Sequence, residues 1–128
     1  PGAIEEVLRF SPSIVAWRRK ATRNARIDGF DIKEGDEVLL LMGSANRDRE
    51  HFADPETFDI ERSNAREHLA FGYGIHFCLG NKLAKLQTKV IIEEVAARVP
   101  ELRIADSAVI RFPDSLSMRA PEAVPTAW

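Results

Sequence analysis

Apolar residues recur at helical spacing near the start of the chain and again in its last third. In residues 3–10 they lie three and four positions apart, and Pro12 disfavours a helical conformation for the residue before it. In residues 79–99 the same spacing continues until Pro100, which cannot continue a helix. The pattern therefore predicts a short opening helix and one long helix.

Between these helices the pattern is typical of short strands and turns. Residues 14–22 mix apolar with basic side chains and are predicted to be extended, and Asp28-Gly29 is a two-residue hairpin signal. Residues 37–42, EVLLLM, form a continuous apolar run and are predicted to be a buried strand. The other predicted elements are a turn at 33–36, a short helical turn at 44–49, and short strands and turns over 102–128.

The segment before the long helix has no clear period. Residues 50–70 are rich in charges and contain Pro55. Because a structureless connection of this length is uncommon inside a domain, we expect a functional or tightly packed irregular segment. The residues that follow, 71–80, read FGYGIHFCLG and contain the single cysteine of the chain.

Cys78 is predicted to lie one residue before the long helix. Unpaired N–H groups and the helix dipole at that place favour an anion, so they favour the thiolate form of the cysteine. A lone cysteine without such surroundings is more often buried and inert. Here we expect a thiolate in a dry loop that faces a large flat ligand, with close approach allowed by Gly72, Gly74 and Gly80 and apolar cover from Phe71 and Phe77.

Composition limits the function classes. The chain has 128 residues, with 45% hydrophobic and 30% charged side chains, which is ordinary for a globular domain. Its net charge of −2 does not favour nucleic-acid binding, and no apolar run is long enough to span a membrane. One cysteine excludes an internal disulfide and fits a reducing cytoplasm. A helical pattern that begins almost at Pro1 predicts a piece of a longer protein or a processed one.

The segment 71–80 resembles the haem-binding loop of the cytochrome P-450 family, whose pattern is Phe-x-x-Gly-x-His/Arg-x-Cys-x-Gly. Its fixed positions are filled by Phe71, Gly74, His76, Cys78 and Gly80. The resemblance implies that Cys78 is the axial thiolate ligand of haem b iron and that Gly72 belongs to the same cofactor-binding loop. Such a ligand pushes electron density onto the iron and favours O–O bond cleavage, and N–H groups near Leu79 and Gly80 would tune the sulfur.

Two further motifs occur in the order that this family has. Glu6 and Arg9 lie three positions apart in the predicted opening helix and can pair, as can Glu5 and Arg9. The sequence DPETFDIER, residues 54–62, resembles the Pro-Glu-x-Phe segment of the family with its following arginine. The resemblance implies a buried cluster of Glu6, Arg9 and Arg62 that fixes the irregular segment. Considered alone, the helix pair would be an exposed ion pair worth about 0.3–0.5 kcal/mol.

Other roles are implied for residues outside the loop. Arg19, in preference to Arg18, resembles the arginine that binds a haem propionate, and His76 is implied to bind a propionate as well. A solvated basic run is the alternative for the arginines. Lys82 and Lys85 would begin the long helix on the face where redox partners dock in the family, although a solvated helix face explains them equally well. Candidate substrate contacts, or else core positions, are Ile14, Val15, Trp17 and Leu116.

The resemblance implies a mixed α and β fold, mainly α in the full protein, of a bacterial-type soluble member. Residues 1–128 would be the C-terminal haem-binding part of one domain, with an opening helix, small sheets, an irregular meander, the cysteine ligand loop and a long helix. The oxygen-activating helix of the family would precede Pro1. Two departures from common bacterial members are Tyr73 in place of histidine and Gln87 in place of glutamate.

The implied activity is that of a cytoplasmic monooxygenase, which inserts one oxygen atom of O2 into a small organic substrate with electrons from a ferredoxin-type donor. The isolated chain is not expected to be active. The alternative is a haem-binding or haem-free structural fragment without catalysis. In either case the apolar face of the long helix would need cover from the missing N-terminal part or from a self-associated copy.

Three other kinds of site fit the residues less well. A zinc site would need His51, His68, His76 and Cys78, whose spacings do not match two ligand pairs. A cysteine nucleophile activated by His76 would need contact between loop residues two positions apart, which rarely have that geometry. Gly72-Tyr-Gly74 is not part of the strand–glycine–helix unit that a dinucleotide loop requires.

Overall fold

The predicted opening helix is present as α1 (Gly2–Phe10) in the computed structural model, which describes residues 2–128. The Ser11 N–H still donates to the Val7 carbonyl at 2.8 Å, and Pro12 then interrupts the helical pattern. The buried side chains of α1 are Glu6 and Arg9, whereas the apolar Val7 is exposed. The side of this helix that faces the interior is therefore charged.

Among residues 2–128, six short strands form three two-stranded antiparallel sheets. They are β1 (Trp17–Lys20), β2 (Ala25–Ile27), β3 (Phe30–Ile32), β4 (Glu37–Leu40), β5 (Arg103–Ile104) and β6 (Thr126–Ala127). β1 pairs with β4, β2 with β3, and β5 with β6. The hairpin predicted at Asp28-Gly29 is confirmed, and the φ angles of 49° and 83° at these two residues are those of a type I′ turn.

The strand predicted over residues 37–42 is shorter and less buried than expected. β4 ends at Leu40, and Met42 already begins the short helix α2 (Met42–Ala45), two residues before the helical turn predicted at 44–49. Leu39 and Leu40 are exposed, because a two-stranded sheet carries no second layer in the part of the chain that the structure describes. The prediction of burial at β4 is therefore wrong for residues 2–128.

The long helix is present as α3 (Asn81–Arg98). It begins two residues later than predicted, so Cys78 lies three residues before its first turn and not one. The reason is local: the backbone N–H and the side-chain amide of Asn81 both donate to the Cys78 carbonyl, at 3.3 and 2.7 Å. Among the described residues, no side chain of α3 is buried, and its leucines at 83 and 86 are exposed.

The small interior lies between α1 and the irregular segment. Residues 50–70 contain only a single 3-10 turn, Ala65–Glu67, which confirms the predicted irregular meander. Apolar and polar side chains share this interior in nearly equal numbers. Among residues 2–128 the buried residues are Pro12, Ala16, Phe52, Pro55 and Ala65 together with Glu6, Arg9, Asn46 and His68.

The tail returns to the first part of the chain. A bridge joins Ile14 to Met118, and the Val15 N–H donates to the Ser117 carbonyl at 2.9 Å. This contact brings the end of the chain next to the residues that precede β1. No helix among residues 2–128 has the length and apolar character needed to cross a bilayer.

Replacing Phe52 by alanine (Phe52→Ala) should lower the free energy of unfolding by about 3–5 kcal/mol, because its ring is only 1% exposed and its loss leaves a cavity. Chemical denaturation followed by circular dichroism measures the difference. Phe30→Ala is the matched control, since Phe30 is 76% exposed and should change stability by no more than about 0.5 kcal/mol. Similar losses in the two variants would contradict this assignment of the core.

Candidate cofactor-binding site

Backbone hydrogen bonds close the cysteine loop on itself. The Cys78 N–H donates to the Phe71 carbonyl at 2.9 Å, and the Phe77 N–H donates to the Gly74 carbonyl at 3.0 Å. Gly72 and Gly74 have φ angles of 75° and 71°, a region that L side chains disfavour, so glycine suits both turns. The result is a compact loop that presents the thiol at its end, just before α3.

A cavity of about 670 Å³ opens in front of this loop. Its volume lies within the range of roughly 300–1,000 Å³ that is usual for small-molecule and cofactor sites. The wall is formed by the loop, by β1 and the residues before it, and by the first turns of α3. Seven of the residues predicted for the site line it together: Ile14, Trp17, Arg19, Phe71, Gly72, His76 and Cys78.

The pleat of β1 decides between the two arginines. Successive side chains of a strand point to opposite faces, so Trp17 and Arg19 share one face and Arg18 lies on the other. Arg19 lines the cavity. Arg18 lies beside Glu37 at 3.7 Å, and both of these side chains are exposed. The structure therefore brings Arg19, and not Arg18, next to the loop.

Five other predicted residues do not line this cavity, and one of them is Phe77, which was expected to give apolar cover but is 49% exposed. Val15 and Leu116 line a second cavity of about 550 Å³, so the structure separates them from Ile14 and Trp17. Val15 instead packs against α2, where a Cβ added to Gly43 would lie 3.2 Å from the Val15 Cβ. Gly74 and Gly80 belong to the loop but do not line the cavity, and a Cβ added to Gly80 would lie 3.9 Å from the Cys78 sulfur.

The three charged residues predicted to form a cluster lie in contact. Arg9 donates to the Glu6 carboxylate through Nε at 2.8 Å and through Nη2 at 2.7 Å, in the two-bond geometry that a guanidinium favours. Arg62 donates through Nε to the same carboxylate at 3.2 Å. Glu6 and Arg9 are fully buried, so this is not the exposed pair considered as the alternative.

The same cluster ties down the irregular segment. Arg9 also donates to the carbonyl groups of Asn46 and Pro55, at 2.9 and 3.0 Å. Arg62 donates to the carbonyl groups of residues 53, 54 and 57. Burial alone would raise the pKa of Glu6, but hydrogen bonds from Arg9, the Asp59 N–H and Arg62 outweigh it and lower that pKa to about 2. Glu6 therefore stays ionised as the acceptor of both arginines.

A second, partly buried cluster was not predicted from the sequence. Glu5 does not pair with Arg9 but accepts two bonds from Lys85 Nζ, at 2.8 and 2.9 Å, and lies 3.3 Å from His68 Nε2. The alternative of a solvated helix face is wrong for Lys85, because its side chain is only 32% exposed and also lines the cavity. Lys82 is exposed as expected.

The ionisation of this second cluster follows from its contacts. Burial acts to raise the pKa of Glu5, but Lys85 and His68 outweigh it and the pKa is lowered. Burial, and then the charge of Lys85, lower the pKa of His68. A neutral His68 thus lies between an anion and the loop. The only sequence signal for this second cluster was the pair of adjacent glutamates in α1. Its contacts join residues 63 and 80 positions apart, and such contacts leave no local pattern.

The set of groups around the cavity suits a flat cofactor that carries a metal ion and carboxylates. A thiol is a soft ligand for a transition metal, and Arg19 can pair with a carboxylate. His76 provides a second polar group on the same wall. Ile14, Trp17 and Phe71 give the wall its apolar surface.

Comparison with known proteins gives one consistent family. The family model described as "Cytochrome P450" matches residues 1–98. A "Steroid C26-monooxygenase" of Mycolicibacterium smegmatis is 39% identical over the whole chain, which covers 32% of that protein. A "20-oxo-5-O-mycaminosyltylactone 23-monooxygenase" of Streptomyces fradiae is 43% identical, again over the whole chain, which covers 30% of that protein.

Solved structures agree with this result. The structure titled "cytochrome P450 CREJ in complex with (4-ethylphenyl) dihydrogen phosphate" has a TM-score of 0.95 and 58% identity, and the match covers 100% of this chain and 32% of that one. The likeness confirms the predicted mixed α and β fold of a C-terminal P450 portion. The chain spans about a third of the length of the relatives that it matches.

Replacing Glu6 by glutamine (Glu6→Gln) should lower the free energy of unfolding by about 3–5 kcal/mol, because two guanidinium groups then lose their anionic partner. Glutamine keeps the size of the side chain, so the loss reports charge and not volume. Chemical denaturation of wild type and variant measures it.

Glu94→Gln is the matched control for this prediction. Glu94 accepts a bond of 2.6 Å from Arg98, yet the two side chains are 55% and 78% exposed. This variant should lose no more than about 0.5 kcal/mol. Equal losses at positions 6 and 94 would show that burial of the cluster does not contribute to the free energy of unfolding.

Proposed function

Because this chain belongs to the cytochrome P450 family, we propose that residues 1–128 form the C-terminal haem-binding part of one cytochrome P450 domain. Membership of the family implies a haem cofactor. We propose that the cofactor is haem b and that Cys78 is the axial ligand of its iron. One support is the complete match of FGYGIHFCLG to the family pattern. Another is that the whole chain aligns with only about a third of the length of each of these two relatives.

The observation that carries the proposal is the composition of one cavity wall. It brings the only cysteine of the chain together with Arg19 and His76, from segments more than 50 positions apart. A thiolate suits iron, and a guanidinium suits a carboxylate. Haem b carries both an iron and two propionates, so a single ligand can use all three residues.

The residues of the chain would hold and orient this cofactor. Cys78 would bind the iron, while Arg19 and His76 would each bind a propionate and so set the rotation of the ring. Phe71, beside Cys78, would exclude water from the thiolate side. The Leu79 and Gly80 N–H groups stay predicted donors to the sulfur. When bound, the haem would supply the oxygen chemistry.

We propose that the intact protein is a monooxygenase that inserts one oxygen atom of O2 into a small organic substrate. Two curated relatives carry the word monooxygenase in their names, one for a steroid and one for 20-oxo-5-O-mycaminosyltylactone. Electrons would come from a ferredoxin-type donor in the cytoplasm. Ile14 and Trp17 are the proposed substrate contacts that line the Cys78 cavity, while Val15 and Leu116 would contact substrate only from the second cavity.

The exposed face of α3 supports the proposal that this chain works as part of a larger unit. Leu83, Leu86 and Val90 lie on it and are between 47% and 59% exposed. An apolar surface of this kind is normally covered in a folded protein. We propose that the N-terminal part of the same domain covers it, and that the isolated chain has no monooxygenase activity.

Cys78→Ala should abolish the thiolate-type Soret band of the reduced carbon monoxide complex, because alanine cannot bind iron. Absorption spectra of the purified intact protein measure this. Glu93→Gln is the control, since its side chain is exposed and does not line the cavity, so the variant should leave the band in place. A wild-type protein without any haem band after reconstitution would support the haem-free structural alternative instead.

Arg19→Ala should speed the loss of haem at least several-fold, because one propionate would then lose its guanidinium partner. Transfer of haem to excess apomyoglobin measures the rate. Arg18→Ala is the matched control on the opposite face of β1 and should leave the rate near that of wild type. Equal acceleration by both variants would mean that only the net positive charge matters.

A further inference from the structure

The carboxylate of Glu5 connects three segments that are distant in the sequence. It belongs to α1, and it accepts two bonds from Lys85 of α3, at 2.8 and 2.9 Å. It also lies 3.3 Å from His68 Nε2, in the stretch that leads into the cysteine loop. Glu5 and His68 are 12% and 3% exposed, so solvent does little to screen the contact between these two side chains.

The hydrogen bonds of His68 determine its orientation. The Ala70 N–H donates to Nδ1 at 3.2 Å, so Nδ1 is the acceptor and the proton of a neutral ring lies on Nε2. That proton points to Glu5. The next residue is held as well, because the Leu69 N–H donates to Asn46 Oδ1 at 2.7 Å. The entrance of the loop is thus attached at two successive residues.

Both partners of Glu5 border the first aromatic ring of the loop. The Lys85 ammonium lies 5.5 Å from the ring centre of Phe71, within the range of a cation–π contact. The His68 ring lies 5.8 Å from the same centre. Phe71 in turn accepts the bond from the Cys78 N–H at 2.9 Å. A continuous set of contacts therefore runs from Glu5 to the residue that carries the thiol.

The cluster also places the Lys85 ammonium at the cavity, where the Glu5 carboxylate neutralises its charge. Lys85 lines the cavity together with Cys78, and Glu5 is the only carboxylate within 4 Å of its ammonium among the described residues. Removing Glu5 would leave an unpaired cation beside a site that we propose to hold a haem thiolate. Removing Lys85 would leave an unpaired anion.

We propose that Glu5 is a positioning residue for the thiolate loop: by holding Lys85 and His68 against Phe71 it fixes the loop that carries Cys78, and by pairing with Lys85 it keeps this side of the cavity electrically neutral. The part that concerns the haem rests on the function proposed above. Glu5 itself does not line the cavity and acts through its two partners.

The charge part is tested by the reduction potential of the iron in the intact, haem-loaded protein. Glu5→Gln should favour the reduced state several-fold, because an unpaired Lys85 cation stabilises the additional electron. Lys85→Met should favour the oxidised state, because the Glu5 anion then remains alone. The double variant Glu5→Gln/Lys85→Met should return close to wild type, since both charges are gone.

The exposed pair Lys89–Glu93 on the same helix supplies the control. Lys89→Met and Glu93→Gln should leave the potential unchanged. Shifts of the same sign for the two single variants at positions 5 and 85 would indicate a merely structural effect and would overturn the charge part. Unchanged potentials in a protein with a normal thiolate band would overturn it too, while leaving the proposed function intact.

The positioning part is tested on the intact protein by a measurement that does not depend on a haem signal, so it is separate from the proposed function. Hydrogen exchange of the backbone amides of Leu69, Ala70, Gly72 and Cys78 reports how firmly the loop is held. Glu5→Gln should speed their exchange at least tenfold, and Lys85→Arg, which keeps the charge pair, should change it little. Equal exchange in wild type and Glu5→Gln, with Glu93→Gln as reference, would overturn the positioning role whatever the spectra show.

Discussion

Glu6 is a fully buried carboxylate. Such a group stays charged only if hydrogen-bond donors and cations are held in place around it. Arg9 donates to this carboxylate from the same helix, and Arg62 donates to it from the irregular segment. Since both arginines also donate to backbone carbonyl groups between positions 46 and 57, satisfying one anion orders a stretch that has almost no regular structure. Burial of apolar surface alone could not do this, because few apolar side chains are buried among residues 2–128.

The two neighbouring glutamates of α1 contact different segments around the cavity. Glu6 fixes the irregular segment, and Glu5 contacts α3 and the entrance of the cysteine loop. Asn46 joins the two clusters, because its carbonyl accepts from Arg9 and its side-chain oxygen accepts from the Leu69 N–H. One short helix thereby contacts the irregular segment, α3 and the entrance of the cysteine loop, although α1 itself contributes only Leu8 to the cavity wall.

Local patterns predicted much of the secondary structure. The opening helix, the Asp28-Gly29 hairpin, the irregular segment and the long helix all depend on neighbouring residues, so their signals survive in the sequence. Burial was predicted less well. The apolar run at β4 and the leucines of α3 are exposed among the described residues, because burial depends on what packs against an element and not on its own composition.

The sequence by itself determined the family, since the spacing from Phe71 to Gly80 is a local pattern that one loop conformation requires. It also named the three members of the Glu6 cluster through that resemblance. Only the tertiary structure decided that Arg19 and not Arg18 faces the cavity, that Val15 and Leu116 lie elsewhere, and that Lys85 is paired with Glu5. The physical reason is that these results depend on where a side chain points and which residue it contacts. Both are fixed only when distant segments pack together.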